Sequence, residues 1–245
     1  AEALIRTAKA SGCDCIHPGY GFLSENAEFA ERCISEGLTF IGPTPEGLSL
    51  FGDKIRAREL AQSQDVPVVP GSEHPLASSD EAQQIAQEIG YPVMLKASAG
   101  GGGRGMRAVE KAEELVEAFE RCQSEAADAF GDGSLFLEKL IEQPQHIEVQ
   151  ILADAQGNVV HLFERDCSVQ QRNQKVLEIA PAPNLDAGLR ERILSDAVKL
   201  AKAASYINAG TMEFLVSPET GEHFFIECNA RIQVEHTVTE QILGI

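Results

Sequence analysis

The stretch YPVMLKASAGGGGRGM, residues 91–106, decides how the rest of the chain is read. Four consecutive glycines, Gly100, Gly101, Gly102 and Gly103, stand between Lys96 on one side and Arg104 and Gly105 on the other. Each glycine in place of alanine forfeits roughly 0.5–1 kcal/mol in backbone entropy, so the run gives up about 2–4 kcal/mol. A loop that must bend, move and approach something closely accounts for that loss. Phosphate oxygens suit it: backbone N–H groups with no side chains in the way converge on an anion, and a lysine just upstream adds a point charge. A flexible hairpin tip is the competing reading.

Two familiar phosphate loops fail against these residues. Walker A needs Gly-Lys followed by Ser or Thr, a string that does not occur. Gly100, Gly102 and Gly105 satisfy G-x-G-x-x-G, but the dinucleotide fingerprint opens a helix directly after its strand. Here Met106–Val109 reads as a second short strand, and the helix comes only at Lys111 to Ala129. A glycine-rich loop joining two strands, with a lysine ending the first, resembles the lid hairpin of the ATP-grasp enzymes.

Composition sets outer limits. The 245 residues, 43% hydrophobic and 24% charged, describe a globular chain large enough for two or three compact units. Twenty Lys and Arg against 38 acids give a net charge of -18, which opposes binding to nucleic-acid backbones and anionic membranes. A local basic cleft still suits a nucleotide. The six cysteines, at 13, 15, 33, 122, 167 and 228, show no C-x-x-C pair or Cys/His ligand spacing, and read as reduced thiols of an intracellular compartment. No uncharged apolar run has the length of a membrane helix, and no signal peptide is evident. Ala1 is not Met and residues 1–10 already read as helix, so the chain is expected to be an excerpt of a longer protein.

Residues 1–50 predict a helix to about Ala10, a strand at Cys13–His17, a helix at Ser24–Glu36 and a strand at Leu38–Gly42, a fragment of a parallel α/β layer. Asp53–Gln64 predicts a helix. Between 72 and 140 come a helix at Ser79–Ile89, the strand ending at Lys96, the glycine loop, a second strand, a long helix and a strand at Ser134–Glu138. From 145 onward the pattern is mainly antiparallel, with strands at His146–Ala153 and Val159–Arg165 across the turn residues 155–158. Ala187–Ala204 predicts an amphipathic helix.

The C-terminal stretch GTMEFLVSPETGEHFFIECNARIQVEH carries the second signal. Two alternating runs across Ser217–Gly221 predict a hairpin, with Thr211, Glu213 and Leu215 on one face of the first strand and Phe225, Glu227 and Asn229 on one face of the second. Two carboxylates and an amide together invite a hard cation such as Mg²⁺, which takes a few carboxylates beside nucleotide phosphates; three solvated polar positions on the outer face of a sheet are the competing reading. Continued alternation puts Arg231, Gln233 and Glu235 on one face. A cation, an amide and a carboxylate in a row suit a small oxyanion, with Arg as a fork, Gln as a neutral contact and Glu as a base; a surface charge ladder is the competing reading. Arg172 and Lys175 in QQRNQK, residues 170–175, make the one compact basic and amide cluster.

Together these residues resemble the biotin carboxylase component of biotin-dependent carboxylases, over essentially the whole chain. The motifs are HPGYGFLSEN (17–26), FIGP (40–43), GDK (52–54), KASAGGGGRGM (96–106), HIEVQILAD (146–154), ERDCS (164–168) and RIQVEH (231–236). Thr237, FGDG at 130–133 and NAGT at 208–211 look most like the pyruvate carboxylase branch. The resemblance implies an α/β (α+β) fold: ATP-grasp, with a partial N-terminal Rossmann-like α/β subdomain at 1–53, an ATP-grasp domain at 54–245 and a Gly-rich lid subdomain at about 71–140. It implies that Lys54, Lys96, the loop glycines and Met106 contact ATP, that Glu138, Lys139 and Ile141 line the adenine hinge, and that His146, Gln170, Asn173 and Leu215 complete the nucleotide site. Glu213, Glu227 and Asn229 would hold Mg²⁺ or Mn²⁺. Lys175, Arg231, Gln233, Val234 and Glu235 would surround bicarbonate and biotin, with Glu235 as base and Arg231 stabilising the biotin enolate.

The implied cofactors are ATP, the metal, and biotin on a carrier domain outside the chain. Implied partners are bicarbonate, the biotin carboxyl carrier domain, a carboxyltransferase domain and further copies in a homo-oligomer; nucleic acid and membrane are not among them. The implied location is the cytoplasm, or the mitochondrial matrix in a eukaryote. Two departures stand out. Gln171-Arg172-Asn173 replaces the usual Arg-Arg-His, and Asn173 is shorter but still hydrogen-bonds a hydroxyl. The chain also stops at Ile245, so the region that supplies another arginine near biotin and much of the dimer contact is expected to lie beyond it. The alternatives are another ATP-grasp ligase, such as a carbamoyl phosphate synthetase, and an ATP-binding fragment with impaired turnover.

Overall fold

A computed structural model describes residues 1–98, 105–172 and 174–245. The glycine run Gly100–Gly103 and Asn173 lie outside the described residues. The chain divides into two compact units, one of residues 1–68, 144–168 and 177–245, the other of residues 69–143 and 169–176.

The first unit opens with helix α1 (Glu2–Ala10), strand β1 (Cys15–Ile16), helix α2 (Ala27–Ser35) and strand β2 (Thr39–Phe40), the two strands pairing in parallel. The strands are shorter than their apolar runs, and α2 starts later than its periodicity because the Asn26 carboxamide caps it, accepting from Phe29 N at 2.6 Å. Helix α3 (Pro45–Gly52) escaped the sequence reading. Thr44 caps it, accepting from Gly47 N at 3.1 Å, with Pro45 in its first turn. Asp53 then ends α3 and caps α4 (Lys54–Ser63), accepting from Ile55 N at 2.9 Å and Arg56 N at 3.2 Å.

The second unit holds α5 (Ser79–Ile89), β3 (Val93–Ala97), β4 (Met106–Val109), a 3₁₀ turn (Ala112–Glu114), α6 (Leu115–Phe130) and β5 (Leu135–Lys139). The predicted helix at Lys111–Ala129 thus opens as 3₁₀ and runs one residue further. Its antiparallel sheet has the order β4-β3-β5. Val93, Leu95, Leu115 and Leu137 are wholly buried between that sheet and the helices.

The remaining elements are β6 (Gln145–Ala153), β7 (Val159–Gln171), β8 (Gln174–Ile179), α7 (Ala187–Ala203), β9 (Asn208–Val216), β10 (His223–Asn229) and α8 (His236–Leu243). The sheet order is β10-β9-β6-β7-β8. β7 extends past Arg165, and β8 was not anticipated, because QQRNQK reads as a polar loop. Ile147, Val149, Ile151, Met212 and Phe214 form the apolar face of this sheet, in one core with Ile193, Ala197 and Leu200 of α7. A register shift in β10 changes one predicted face. Phe225 pairs with Phe214 while Glu227 pairs with Glu213, so Ile226 is bulged. Phe225 therefore turns into the core beside Phe214, ring centroids 5.8 Å apart, instead of sharing a face with Glu227.

In the second unit Gly71 meets β5 backbone to backbone. A Cβ there would lie 2.3 Å from the Leu137 carbonyl oxygen and 2.9 Å from Glu138 Cα, while Ser72 N donates to that same oxygen at 2.7 Å. Gly71→Ala is expected to destabilise the protein by about 1–3 kcal/mol. Urea denaturation reads this; an unchanged midpoint would contradict the contact.

Candidate active site

The five-stranded sheet carries its chemistry in one row. Arg165 of β7 stands opposite Glu148 of β6, Glu148 opposite Glu213 of β9, and Glu213 opposite Glu227 of β10. The next row holds Gln150, Thr211 and Asn229. Directly opposed residues share a face, so these side chains lie on the face away from Ile147, Val149 and Phe214. Like charges directly opposite one another repel, and Glu148, Arg165 and Glu213 are almost wholly buried.

The row is balanced by donors. Arg165 Nε donates to Glu148 Oε1 at 2.6 Å, and its Nη1 donates to Gln150 Oε1 at 3.0 Å and Thr239 Oγ1 at 2.8 Å. Glu213 Oε1 accepts from Asn229 Nδ2 at 2.6 Å and Gln233 Nε2 at 3.1 Å, and its Oε2 lies 2.6 Å from His146 Nε2. Arg231 links the row to the N-terminal segment, donating from Nη2 to Asn229 Oδ1 and from Nε to Glu25 Oε2, both at 3.0 Å. Ala230 N donates to Glu25 Oε1 at 3.1 Å.

The segment RIQVEH corrects an expectation. It is not a strand with Arg231, Gln233 and Glu235 on one face: β10 ends at Asn229, and residues 231–235 bend into α8. The Gln233 carbonyl accepts from His236 N at 3.3 Å and that of Glu235 from Val238 N at 3.1 Å, so the backbone turns helical. Gln233 still points inward at 4% exposure and Val234 outward at 61%. Glu235 sits at the helix N-cap without capping it. Its carboxylate, the Glu148 carboxylate and the Cys167 sulfur each offer an atom, all within 4.8 Å of one another.

Hard oxygen donors of the kind Mg²⁺ takes are present at Glu213, Glu227 and Asn229. Glu227 is exposed, whereas Glu213 and the Asn229 oxygen already accept hydrogen bonds that a cation would displace. Leu215 is half-buried on the His146 face of β9, and Lys54 is exposed at the start of α4.

In the second unit Lys96 of β3 ion-pairs with Glu138 of β5, and Met106 is Lys96's cross-strand partner and 41% exposed. Lys139 Nζ donates to the carbonyls of Gly90 at 3.1 Å and Tyr91 at 2.9 Å, so its ammonium braces the start of β3. Ile141, Gln170 and Lys175 are half-buried.

Glu25, Glu148, Arg165, Cys167 and Thr239 were not singled out beforehand. HIEVQ alternates polar with apolar residues, and ERDCS puts charges inside a strand; both are signs of a polar sheet face. Glu25 lies in a loop with no such period.

A family profile described as carbamoyl-phosphate synthase L chain, ATP binding domain, matches residues 53–245, and one described as biotin carboxylase, N-terminal domain, matches residues 1–48. The chain is 57% identical over 244 residues to pyruvate carboxylase 1 of Caenorhabditis elegans, which covers 100% of this chain and 21% of that one. It is 57% identical over 242 residues to the mitochondrial pyruvate carboxylase of Mus musculus, which covers 99% of this chain and 20% of that one. It spans about a fifth of the length of these relatives. A Campylobacter jejuni biotin carboxylase solved as a β-γ-ATP complex superposes with a TM-score of 0.94 at 50% identity, over 100% of this chain and 55% of that one. The biotin carboxylase domain dimer of Hydrogenobacter thermophilus 2-oxoglutarate carboxylase, solved with MgADP, ADP and bicarbonate, superposes at 0.91 with 54% identity, over 100% and 54%.

Cys228, between Glu227 and Asn229, faces the core. Burial first, then the charges of Glu25, Glu213 and Glu227, push its thiol well above the usual range. A folded-state pKa raised above the unfolded value of about 8.5 means its contribution is fully present below that pH and falls as pH rises. Unfolding free energy from urea titrations is therefore expected to decline from pH 8 to 10, less steeply in Cys228→Ala. Identical slopes would contradict the burial of a neutral thiol.

Proposed function

The chain belongs to the biotin carboxylase family of ATP-grasp enzymes, and we propose that it carries out the ATP- and bicarbonate-dependent carboxylation of biotin borne on a carrier domain. The observation that carries this reading is the Glu235 carboxylate, set beside Glu148 and Cys167 within 4.8 Å and two residues from Gln233, which is bonded to the Glu213 row.

Glu235 takes the bicarbonate proton. The resulting oxyanion attacks the γ-phosphorus of ATP; the new O–P bond forms as the bond to the ADP oxygen breaks, giving carboxyphosphate and ADP. Carboxyphosphate breaks down to CO₂ and phosphate; the released phosphate would take the ureido N–H proton of the carrier-borne biotin, leaving an enolate whose nitrogen would capture the CO₂. Arg231 stabilises that enolate, and Lys175, Gln233 and Val234 hold bicarbonate. Lys54, Lys96, Gly100–Gly103 and Met106 contact ATP, Glu138, Lys139 and Ile141 line the adenine hinge, and His146, Gln170, Asn173 and Leu215 complete the nucleotide site. Glu213, Glu227 and Asn229 would hold magnesium or manganese, which would supply positive charge to the phosphate oxygens.

We take the carboxyl acceptor to be pyruvate, delivered through a carrier domain and a carboxyltransferase domain of a homo-oligomeric protein. Relatives named pyruvate carboxylases support this; the similarity to a 2-oxoglutarate carboxylase domain makes 2-oxoglutarate the competing acceptor. None of the described helices is long and apolar enough to cross a membrane. The assigned location is the cytoplasm, or the mitochondrial matrix in a eukaryotic cell, as the name of the mouse relative suggests.

In the polypeptide that carries this chain, ADP release is expected to require bicarbonate and to rise with free biotin. Glu235→Gln should lower that bicarbonate-dependent rate by about 10²–10⁴-fold. An unchanged rate in a coupled ADP assay would remove Glu235 as the base.

A further inference from the structure

We infer that Arg165 is a positioning residue for bicarbonate recognition, one that presets the Gln233 side chain as a hydrogen-bond donor; the inference rests on the bicarbonate reading above. Arg165 is 0% exposed and is the only buried cationic side chain among the described residues. Such a group persists only when its donors are satisfied, and its partners come from three places. Glu148 and Gln150 belong to β6, Thr239 to α8, and Gln233 to the turn between β10 and α8, its Oε1 accepting from Arg165 Nη2 at a long 3.5 Å.

The chemistry of the neighbours settles which way the Gln233 amide points. A guanidinium only donates and a carboxylate only accepts. With Arg165 on one side and Glu213 on the other, the amide oxygen must face Arg165 and the nitrogen must face Glu213, as the 3.1 Å contact has it. The reverse orientation would set N–H against guanidinium and oxygen against carboxylate. Nε2 carries two hydrogens, and Glu213 takes one. The other is left for a ligand, so Gln233 meets its ligand as a donor, which matches the oxygens of bicarbonate. Thr239 lets the same guanidinium tie α8, and with it the N-cap residue Glu235, to the sheet.

The test uses the polypeptide that carries this chain, with Arg165→Lys, Gln233→Ala and the double variant. Lysine keeps the buried charge beside Glu148 but loses the fork that reaches Gln233. Arg165→Lys is expected to raise KM for bicarbonate about tenfold, the effect of one misdirected charge-assisted hydrogen bond, with KM for ATP changed by less than about twofold. On the Gln233→Ala background the same change should add nothing further, because coupled residues are non-additive. An unchanged bicarbonate KM, additive effects, or an equal rise in the ATP KM would each overturn the positioning role. If Arg165→Lys does not fold, Glu148→Gln with Arg165→Met removes both charges together and carries the same expectations. Absence of bicarbonate dependence in the unsubstituted protein would sink the reaction reading instead. A crystal structure of Arg165→Lys then decides the inference by itself: a Gln233 amide turned away from Glu213 supports it, and an unmoved amide overturns it.

Discussion

Three carboxylates lie side by side on adjacent strands of one sheet face, Glu148, Glu213 and Glu227, and the polar half of the first unit is arranged around keeping them there. Directly opposed like charges destabilise a sheet, and removal from water strengthens the repulsion. Each inner carboxylate is therefore answered. Arg165 meets Glu148, while His146, Asn229 and Gln233 share the two oxygens of Glu213. Glu227, at the sheet edge, keeps contact with water. Negative charge held beside polar donors is suited to gathering cations, and this chain holds it in a protein that is already acidic overall.

Two small irregularities decide which side chains join that face. The bulge at Ile226 lets Phe225 enter the core while Glu227 and Asn229 turn toward the carboxylates. A second shift, in β7, sets Leu162 and Phe163 against Gln150 alone, with Phe163 at φ +60. Beyond it Arg165 comes into line with Glu148. Bulges re-aim side chains in this way near functional sites. The turn at 231–235 adds the last residues, since leaving the strand lets Gln233 point inward and puts Glu235 at the start of a helix.

Much of this was legible in the chain. The 211–229 hairpin, gathering Glu213, Glu227 and Asn229, followed from alternation and a turn signal, and the helices at Ser79–Ile89 and Ala187–Ala203 from their period, but the direct pairing of Glu213 with Glu227 depends on the bulge at Ile226. α3 was missed because its eight residues include Pro45, Gly47 and Gly52, poor helix formers that read as loop, while Asp53, which ends it, was read as the start of the next helix. RIQVEH misled for another reason: its alternation of polar and apolar residues is real, but a helix begun at His236 overrides strand propensity over so short a run. Arg165 was passed over because a charged residue in a strand reads as facing solvent. Only the folded chain gathers four buried acceptors around it, two from β6, one from the turn after β10 and one from α8. The glycine run, by its composition, is the strongest sign of a phosphate ligand in the sequence.

The acidic row is suited to gathering the metal of a metal-nucleotide complex. Isothermal titration of ADP, with and without Mg²⁺, into the unsubstituted protein and its Glu213→Gln and Glu227→Gln variants tests it most directly. MgADP affinity is expected to fall about tenfold or more in both variants while metal-free ADP binds about equally to all three. MgADP affinity unchanged by either substitution would contradict it.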